Sequence, residues 1–113
     1  DETTNFQLHF PSGAIASCTG SHGINTNFLK ANYEKGSLFM ETFSSYAGNK
    51  GYSTLGEINY PVDHIQALQM DNDALAILNN QTPLVPGEEG MRDIRIVQAI
   101  QQASKNGQTV RLN

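Results

Sequence analysis

The clearest hydrophobic pattern lies in the last quarter of the chain. At about 100° per residue, four apolar residues share one helix face: Ile96, Ala99, Ile100 and Ala103. Four polar residues share the opposite face: Arg95, Gln98, Gln102 and Lys105. Pro86-Gly87 precedes this pattern, and Asn106-Gly107 follows it as a stop that tolerates a left-handed residue. Residues 86–113 therefore predict a loop, one long helix and a short last strand over the alternating residues 109–112.

Apolar and polar residues alternate through the first part of the chain. Residues 6–10 and 14–22 are predicted to form a β-hairpin around the turn at residues 11–13. Residues 28–33 and 37–43 form a second predicted hairpin, in which Leu38 and Met40 face one way and Phe39 and Glu41 the other. Because both faces of this hairpin carry large side chains, its second face is predicted to meet another chain or domain.

The middle of the chain is predicted to lead from strands to a first helix. Gly48-Asn49-Lys50-Gly51 is interpreted as a hairpin turn, and residues 55–60 as a strand that Pro61 ends. Residues 61–79 predict a helix that starts at Pro61. Its apolar residues between positions 70 and 78 surround nearly the whole helix, which indicates burial on every side. Strands followed by helices predict an α+β fold, an open, mainly antiparallel β-sheet with two helices packed on one face.

Length, charge and cysteine content narrow the class of protein. The 113 residues fit one domain, 1–113, that buries roughly two thirds of its unfolded surface. A net charge of −4 without a Lys/Arg cluster argues against nucleic acid and anionic membranes as partners. The single cysteine, Cys18, excludes an internal disulfide and a CxxC metal site, and its alternating run predicts a buried, inert thiol. With no signal peptide or membrane span in the sequence, we expect a cytoplasmic protein.

The chain is also expected to be a piece of a longer protein. Its apolar fraction of 38% is low for a self-sufficient core. It starts at Asp1 rather than Met and enters a strand pattern almost at once.

Two histidines are the first candidates for a functional site. His22 ends its predicted strand beside Ser21 and two glycines, where the backbone can approach a ligand, so His22 and Ser21 are candidate substrate-side residues. The alternative is an ordinary surface histidine. A small hydrolase or metal enzyme using His22, His64 and a carboxylate is a further hypothesis, which requires these groups to converge in space.

Arg92 and Asp93 are the second candidates, because both point to the apolar side of the predicted last helix. Charged side chains there are rarely buried unless they are paired. We interpret them as structural polar residues in a buried ion pair or a helix-capping contact. The alternative is a polar cluster at the floor of a ligand cleft. On the structural interpretation, Asp93→Ala leaves a partner unpaired and costs about 1–3 kcal/mol.

The sequence contains no motif that identifies a reaction. No GxGxxG motif follows a strand, and there is no HExxH, GxSxG or Cys/His metal spacing. We therefore assign no catalytic, no cofactor-binding and no metal-binding residue.

Several stretches carry a resemblance to a known family. "PLVPGEEGMRDIRIVQAIQQASKNGQTVRL" resembles the C-terminal end of the glucose–fructose oxidoreductase family, the Gfo/Idh/MocA group of NAD(P)-dependent sugar oxidoreductases. "LQMDNDALAILNNQTPLVPGEEG" and the hairpin "DETTNFQLHFPSGAIASCTGSHG" are also similar to family members, so the resemblance spans nearly the whole chain. Its specific motifs lie in the second half. The chain departs from the family at Asn72, where members often carry His.

The resemblance implies the C-terminal domain of a larger oxidoreductase. Family members have an N-terminal Rossmann domain that holds NAD(P), then a sheet domain that forms the sugar site and joins subunits. The family's Glu-Lys-Pro motif and its Asp…His pair precede the matched region, and Glu34-Lys35 here is followed by Gly36. The resemblance thus implies a homo-oligomer through the open sheet face, no cofactor bound by this chain, and NAD(P) and a sugar-like substrate in the parent. The alternative is a free-standing binding or assembly module that self-associates through its sheet.

Overall fold

In the computed structural model, which describes residues 2–112, six β-strands precede two α-helices. The strands are β1 (Thr3–His9), β2 (Ile15–Ser21), β3 (Leu29–Tyr33), β4 (Gly36–Thr42), β5 (Gly48–Ser53) and β6 (Gly56–Pro61). The helices are α1 (Ile65–Leu78) and α2 (Gly87–Asn106). All strand pairs are antiparallel, which confirms the α+β class. The chain divides into two units, Asp1–Gln69 and Met70–Asn113.

Strands β1 and β2 form a separate two-stranded sheet with two different faces. Phe6 lies opposite Cys18 and Leu8 opposite Ala16, and all four are half-buried. The predicted alternation is therefore confirmed, with Cys18 half-buried rather than fully buried. Cross-strand hydrogen bonds link the side chains of the other face: Thr3 with Ser21, Asn5 with Thr19, and Gln7 with Ser17.

The remaining strands form one open sheet in the order β3-β4-β5-β6. The predicted turn at residues 48–51 is wrong, because these residues form most of β5. Glycine occurs here because neighbouring backbone comes close: a Cβ on Gly51 would collide with the Phe39 carbonyl oxygen, and one on Gly48 with that of Tyr60. Gly48 also has φ +95°, a backbone conformation that residues with a side chain rarely adopt. A β-bulge between Met40 and Thr42 shifts the pairing register of β4 with β5 at this point.

The predicted start of the first helix at Pro61 is also wrong. Pro61 is the last residue of β6, paired with Gly48, and helix α1 begins at Ile65. β6 is an edge strand of this sheet, where a residue without an N–H is tolerated. His64 stands between the two elements with φ 54°, and its carbonyl accepts the Leu68 N–H at 3.1 Å.

Helix α1 is much less buried than its apolar sequence predicts. Ala76 is its one buried residue, whereas Ile77 and Leu78 are 71% and 78% exposed. Asn80 follows the helix with φ 51°, and the Gln81 N–H donates to the Ala76 carbonyl, which closes the helix end. Burial of the remaining faces of α1 needs a missing domain or a second protomer, and it stays a prediction.

Helix α2 has the predicted bounds and faces. Its four apolar positions are half-buried and the opposite polar positions are exposed. Glu88 and Glu89 occupy the first turn and Lys105 the last, as the helix dipole favours. Gly107 caps the helix with φ 64°, and its N–H donates to Ala103 at 2.8 Å. The predicted last strand does not form, because residues 109–112 pair with no strand among the described residues; Asn113 lies outside them.

No helix within residues 2–112 has both the length and the apolar character needed to cross a membrane.

Candidate functional site

Ser21 and His22, the candidate substrate-side residues, lie at the end of β2. The Ser21 hydroxyl oxygen accepts the N–H groups of Gly23 at 3.1 Å and Ile24 at 3.2 Å, and it lies 2.7 Å from the Thr3 hydroxyl. This hydroxyl therefore organises the turn that follows β2. In contrast, the His22 side chain is exposed and makes no hydrogen bond to the described part of the chain, while its backbone N–H donates to Glu2.

This corner can present polar groups to a ligand, but it holds no catalytic arrangement of its own. An activated serine needs a base within hydrogen-bond reach, and Ser21 instead bonds to Thr3 and to backbone N–H groups. His64 lies in the β6–α1 junction and is exposed. No three His, Cys, Asp or Glu side chains among the described residues are grouped so that they could hold a metal ion.

The structure separates the roles of Arg92 and Asp93. Arg92 donates to the Glu89 carboxylate at 2.5 Å, one helical turn earlier, and both side chains are largely exposed. Asp93 is exposed and has no ion-pair partner within residues 2–112. Within residues 2–112, Arg92 and Asp93 form no buried ion pair, since the Glu89 partner of Arg92 lies on the same exposed helix surface. Their structural role stays a prediction.

A row of aromatic side chains runs from the residue before β3 over β4 to β5, and we call Phe28, Phe39 and Tyr52 the aromatic row. The Phe28 and Phe39 ring centroids are 6.0 Å apart, and those of Phe39 and Tyr52 are 5.3 Å apart. Phe28 is 58% exposed and Tyr52 is 55% exposed. Lys30 lies opposite Phe39 in the strand register and Glu57 opposite Tyr52, so charges of both signs flank the rings.

The aromatic row agrees with the sequence prediction that the second face of the β3–β4 hairpin carries large side chains. Rings of this size dominate the energetics of protein contacts when they become buried. Leu38 and Met40 alternate with Phe39 on β4 and are half-buried. On β4, Leu38 and Met40 therefore lie on one face, and the opposite face carries the aromatic row with its flanking charges.

Sequence reasoning missed a clamp at one end of the aromatic row. The Asn27 side chain donates to the Ser44 carbonyl at 2.6 Å and accepts the Ser44 N–H at 2.8 Å. It thereby reproduces a pair of backbone hydrogen bonds immediately before Phe28. The only signal in the sequence is an asparagine next to a strand, which is too common to identify such a clamp.

Comparison with known proteins places this chain among oxidoreductases. The family described as "Oxidoreductase family, C-terminal alpha/beta domain" (Gfo/Idh/MocA) matches residues 3–112. The crystal structure of aldose-aldose oxidoreductase from Caulobacter crescentus, complexed with glycerol, superposes with a TM-score of 0.84 at 34% sequence identity. That match covers 96% of this chain and 34% of the Caulobacter chain, so this chain spans about a third of that relative. The chain therefore belongs to the Gfo/Idh/MocA oxidoreductase family, as its C-terminal domain.

Proposed function

We propose that this chain is the substrate-side and subunit-contact domain of an NAD(P)-dependent sugar oxidoreductase and is inactive in isolation. The observation that carries the proposal is the 34% identity, over 96% of this chain, to an aldose-aldose oxidoreductase. Since the match covers 34% of that relative, the proposal assigns cofactor binding and catalysis to a nucleotide-binding domain outside these residues.

The composition of the chain supports this division of labour. It contains no glycine-rich dinucleotide fingerprint after a strand. On this proposal His22 and Ser21 form part of the wall of the sugar site. The exposed His22 ring offers hydrogen-bonding nitrogens, and Ser21 fixes the turn that carries it.

The subunit contact is assigned to the aromatic row. Interface centres favour aromatic residues, and the row combines three rings with a lysine and a glutamate on the same face. A surface that carries both signs of charge beside a central aromatic patch suits a second copy of itself. The cytoplasmic location stays a prediction from the sequence, which shows a single cysteine and no signal peptide.

The proposal is tested on the protein expressed together with the coding sequence that precedes this chain. We expect that protein to quench or shift NADPH fluorescence at micromolar concentration and to reduce NAD(P)⁺ with aldoses, whereas the isolated chain does neither. A preceding sequence without a dinucleotide-binding fold would refute the proposal and favour the free-standing module. NADPH binding by residues 1–113 alone would refute the assignment of the cofactor site.

His22→Ala tests the substrate-side role within the same protein. We expect KM for the aldose to rise while the Kd for NADPH stays unchanged, because the residue is assigned to the sugar wall alone. His9→Ala is the matched control, since His9 is also an exposed histidine of the same hairpin. Equal kinetic effects of the two substitutions would contradict the role of His22.

A further inference from the structure

The end of helix α2 places a chemically reactive dipeptide at an exposed position. Asn106-Gly107 is the one Asn-Gly pair in the sequence. Asn106 is the last helical residue, Gly107 is the left-handed cap, and both are exposed. Asn106 also lines an open cavity with Gln102, Gln108 and Thr109, so water has access to its side-chain amide.

An asparagine followed by glycine can modify itself. The glycine nitrogen attacks the Cγ carbonyl of the asparagine, a new C–N bond closes a five-membered succinimide, and the side-chain amide leaves as ammonia. Water then opens the ring at either carbonyl, which gives aspartate or isoaspartate. The overall change consumes one water and releases one ammonia, without oxidation or reduction. Glycine favours the attack because it has no Cβ to hinder its nitrogen.

The folded helix end restrains this reaction. The Gly107 N–H donates to the Ala103 carbonyl at 2.8 Å, so the attacking nitrogen is engaged in the cap. The helical backbone at Asn106 must also rearrange before the nitrogen reaches Cγ. Attack therefore requires the last turn of α2 to open, and helix ends open at low free energy.

We propose that Asn106 is a self-modification site, at which fraying of the α2 end lets the Gly107 nitrogen close the succinimide ring that water then opens. The product carries a carboxylate at the C-terminal end of the helix, where the dipole disfavours negative charge. Lys105 offsets this in part, since it lies in the same turn. The helix end with the new carboxylate therefore frays more readily than the original one. Deamidation of Asn106 thus weakens the Gly107 cap that restrains the reaction.

The test is peptide mass mapping of the whole 113-residue chain during incubation at neutral and mildly alkaline pH. We expect the mass gain of one amide-to-carboxylate exchange in the peptide that carries Asn106, with isoaspartate detected by methyltransferase labelling. The rate should rise with pH, because the attacking nitrogen must lose its proton. In concentrated guanidinium chloride the reaction should run roughly tenfold faster, since the restraining turn is absent.

Two variants decide the assignment. Asn106→Gln should abolish the gain, because the longer side chain must close a six-membered ring. Asn80→Gln should leave it unchanged, although Asn80 is also an exposed asparagine at a helix end, with φ 51°. A gain that persists in Asn106→Gln, or that maps to another peptide, overturns the proposal. Equal rates in the native and denatured chain overturn the restraining role of the cap.

Discussion

At the residue scale, glycines in β5 are required by close backbone packing. Gly51 has no room for a Cβ beside the Phe39 carbonyl, whereas Gly90 of helix α2 has nothing within 4 Å. Gly51→Ala should therefore lower the free energy of unfolding by about 1–3 kcal/mol, because strand β5 must move away from β4. Gly90→Ala, the matched control, should raise it by about 0.5–1 kcal/mol through helix propensity. Urea unfolding monitored by circular dichroism measures both, and equal effects would contradict the packing argument.

Asn27 supplies the second prediction at this scale. Asn27→Asp keeps the size and the acceptor but replaces the donor to the Ser44 carbonyl with a carboxylate oxygen. Two oxygens then face each other, and the expected loss is about 1–3 kcal/mol of unfolding free energy. Asn25→Asp makes the same chemical change in the neighbouring loop, where no side-chain hydrogen bond to the described residues exists, and should be nearly neutral. The same urea experiment compares them, and a neutral Asn27→Asp would show that the clamp contributes nothing.

Asp93 shows how context changes a prediction made from a helix pattern. The sequence indicates a charge on an apolar face and hence a loss of 1–3 kcal/mol on its removal. In this chain Asp93 is exposed and unpaired within residues 2–112, so Asp93→Ala should change the unfolding free energy by less than about 0.5 kcal/mol. Thermal unfolding of the isolated chain checks this. A larger loss would mean that Asp93 has a partner in the folded state after all.

At the element scale, the strands that could be predicted are those with alternating apolar residues. Phe6 and Leu8 identified β1, and Leu38 and Met40 identified β4, because alternation follows directly from the pleat. Strand β5 is not predicted from the sequence, because glycines are typical of turns. Here glycine is required because the backbone of the neighbouring strands leaves no room for a Cβ. A requirement set by a partner strand leaves no mark in the local sequence.

The same contrast separates the two helices. Helix α2 is bounded by proline, acidic residues and a glycine cap, each of which acts locally, and its bounds followed from the sequence. For α1, Pro61 was the expected start, yet it ends β6, because an edge strand and a first helical turn accept proline for the same reason, its missing N–H. The alternating residues 109–112 needed a neighbouring strand that sequence periodicity cannot supply.

The candidate site was predictable only in part. His22 and Ser21 stay predicted substrate-side residues because glycines flank them in the sequence; Ser21 ends β2 and His22 follows it directly. The hydrogen bonds from Ser21 to the following turn, and the Asn27 clamp, depend on side-chain geometry and have no periodic signal. On the proposal above, the catalytic residues lie outside the part of the parent protein that this match covers, which is 34% of the Caulobacter relative.

At the scale of the whole molecule, the exposed apolar surface predicts association. Within the described residues Ala76 is the one buried apolar side chain, while the aromatic row keeps two of its three rings more than half exposed. Monomeric proteins seldom leave such contiguous surfaces open to water. Light scattering over a concentration series should therefore show a molar mass that rises above that of the monomer.

Substitutions locate this association on one face. Tyr52→Lys removes one ring of the aromatic row and places a lysine opposite Glu57. It should return the chain to the monomer mass, because burying this charge pair at a contact carries a large desolvation cost. Tyr33→Lys is the matched control, since Tyr33 is a similarly exposed tyrosine of the same sheet outside the aromatic row. Monomers at every concentration would refute a self-association surface and leave the rings to a different domain. Loss of association in Tyr33→Lys alone would move the contact to another part of the sheet.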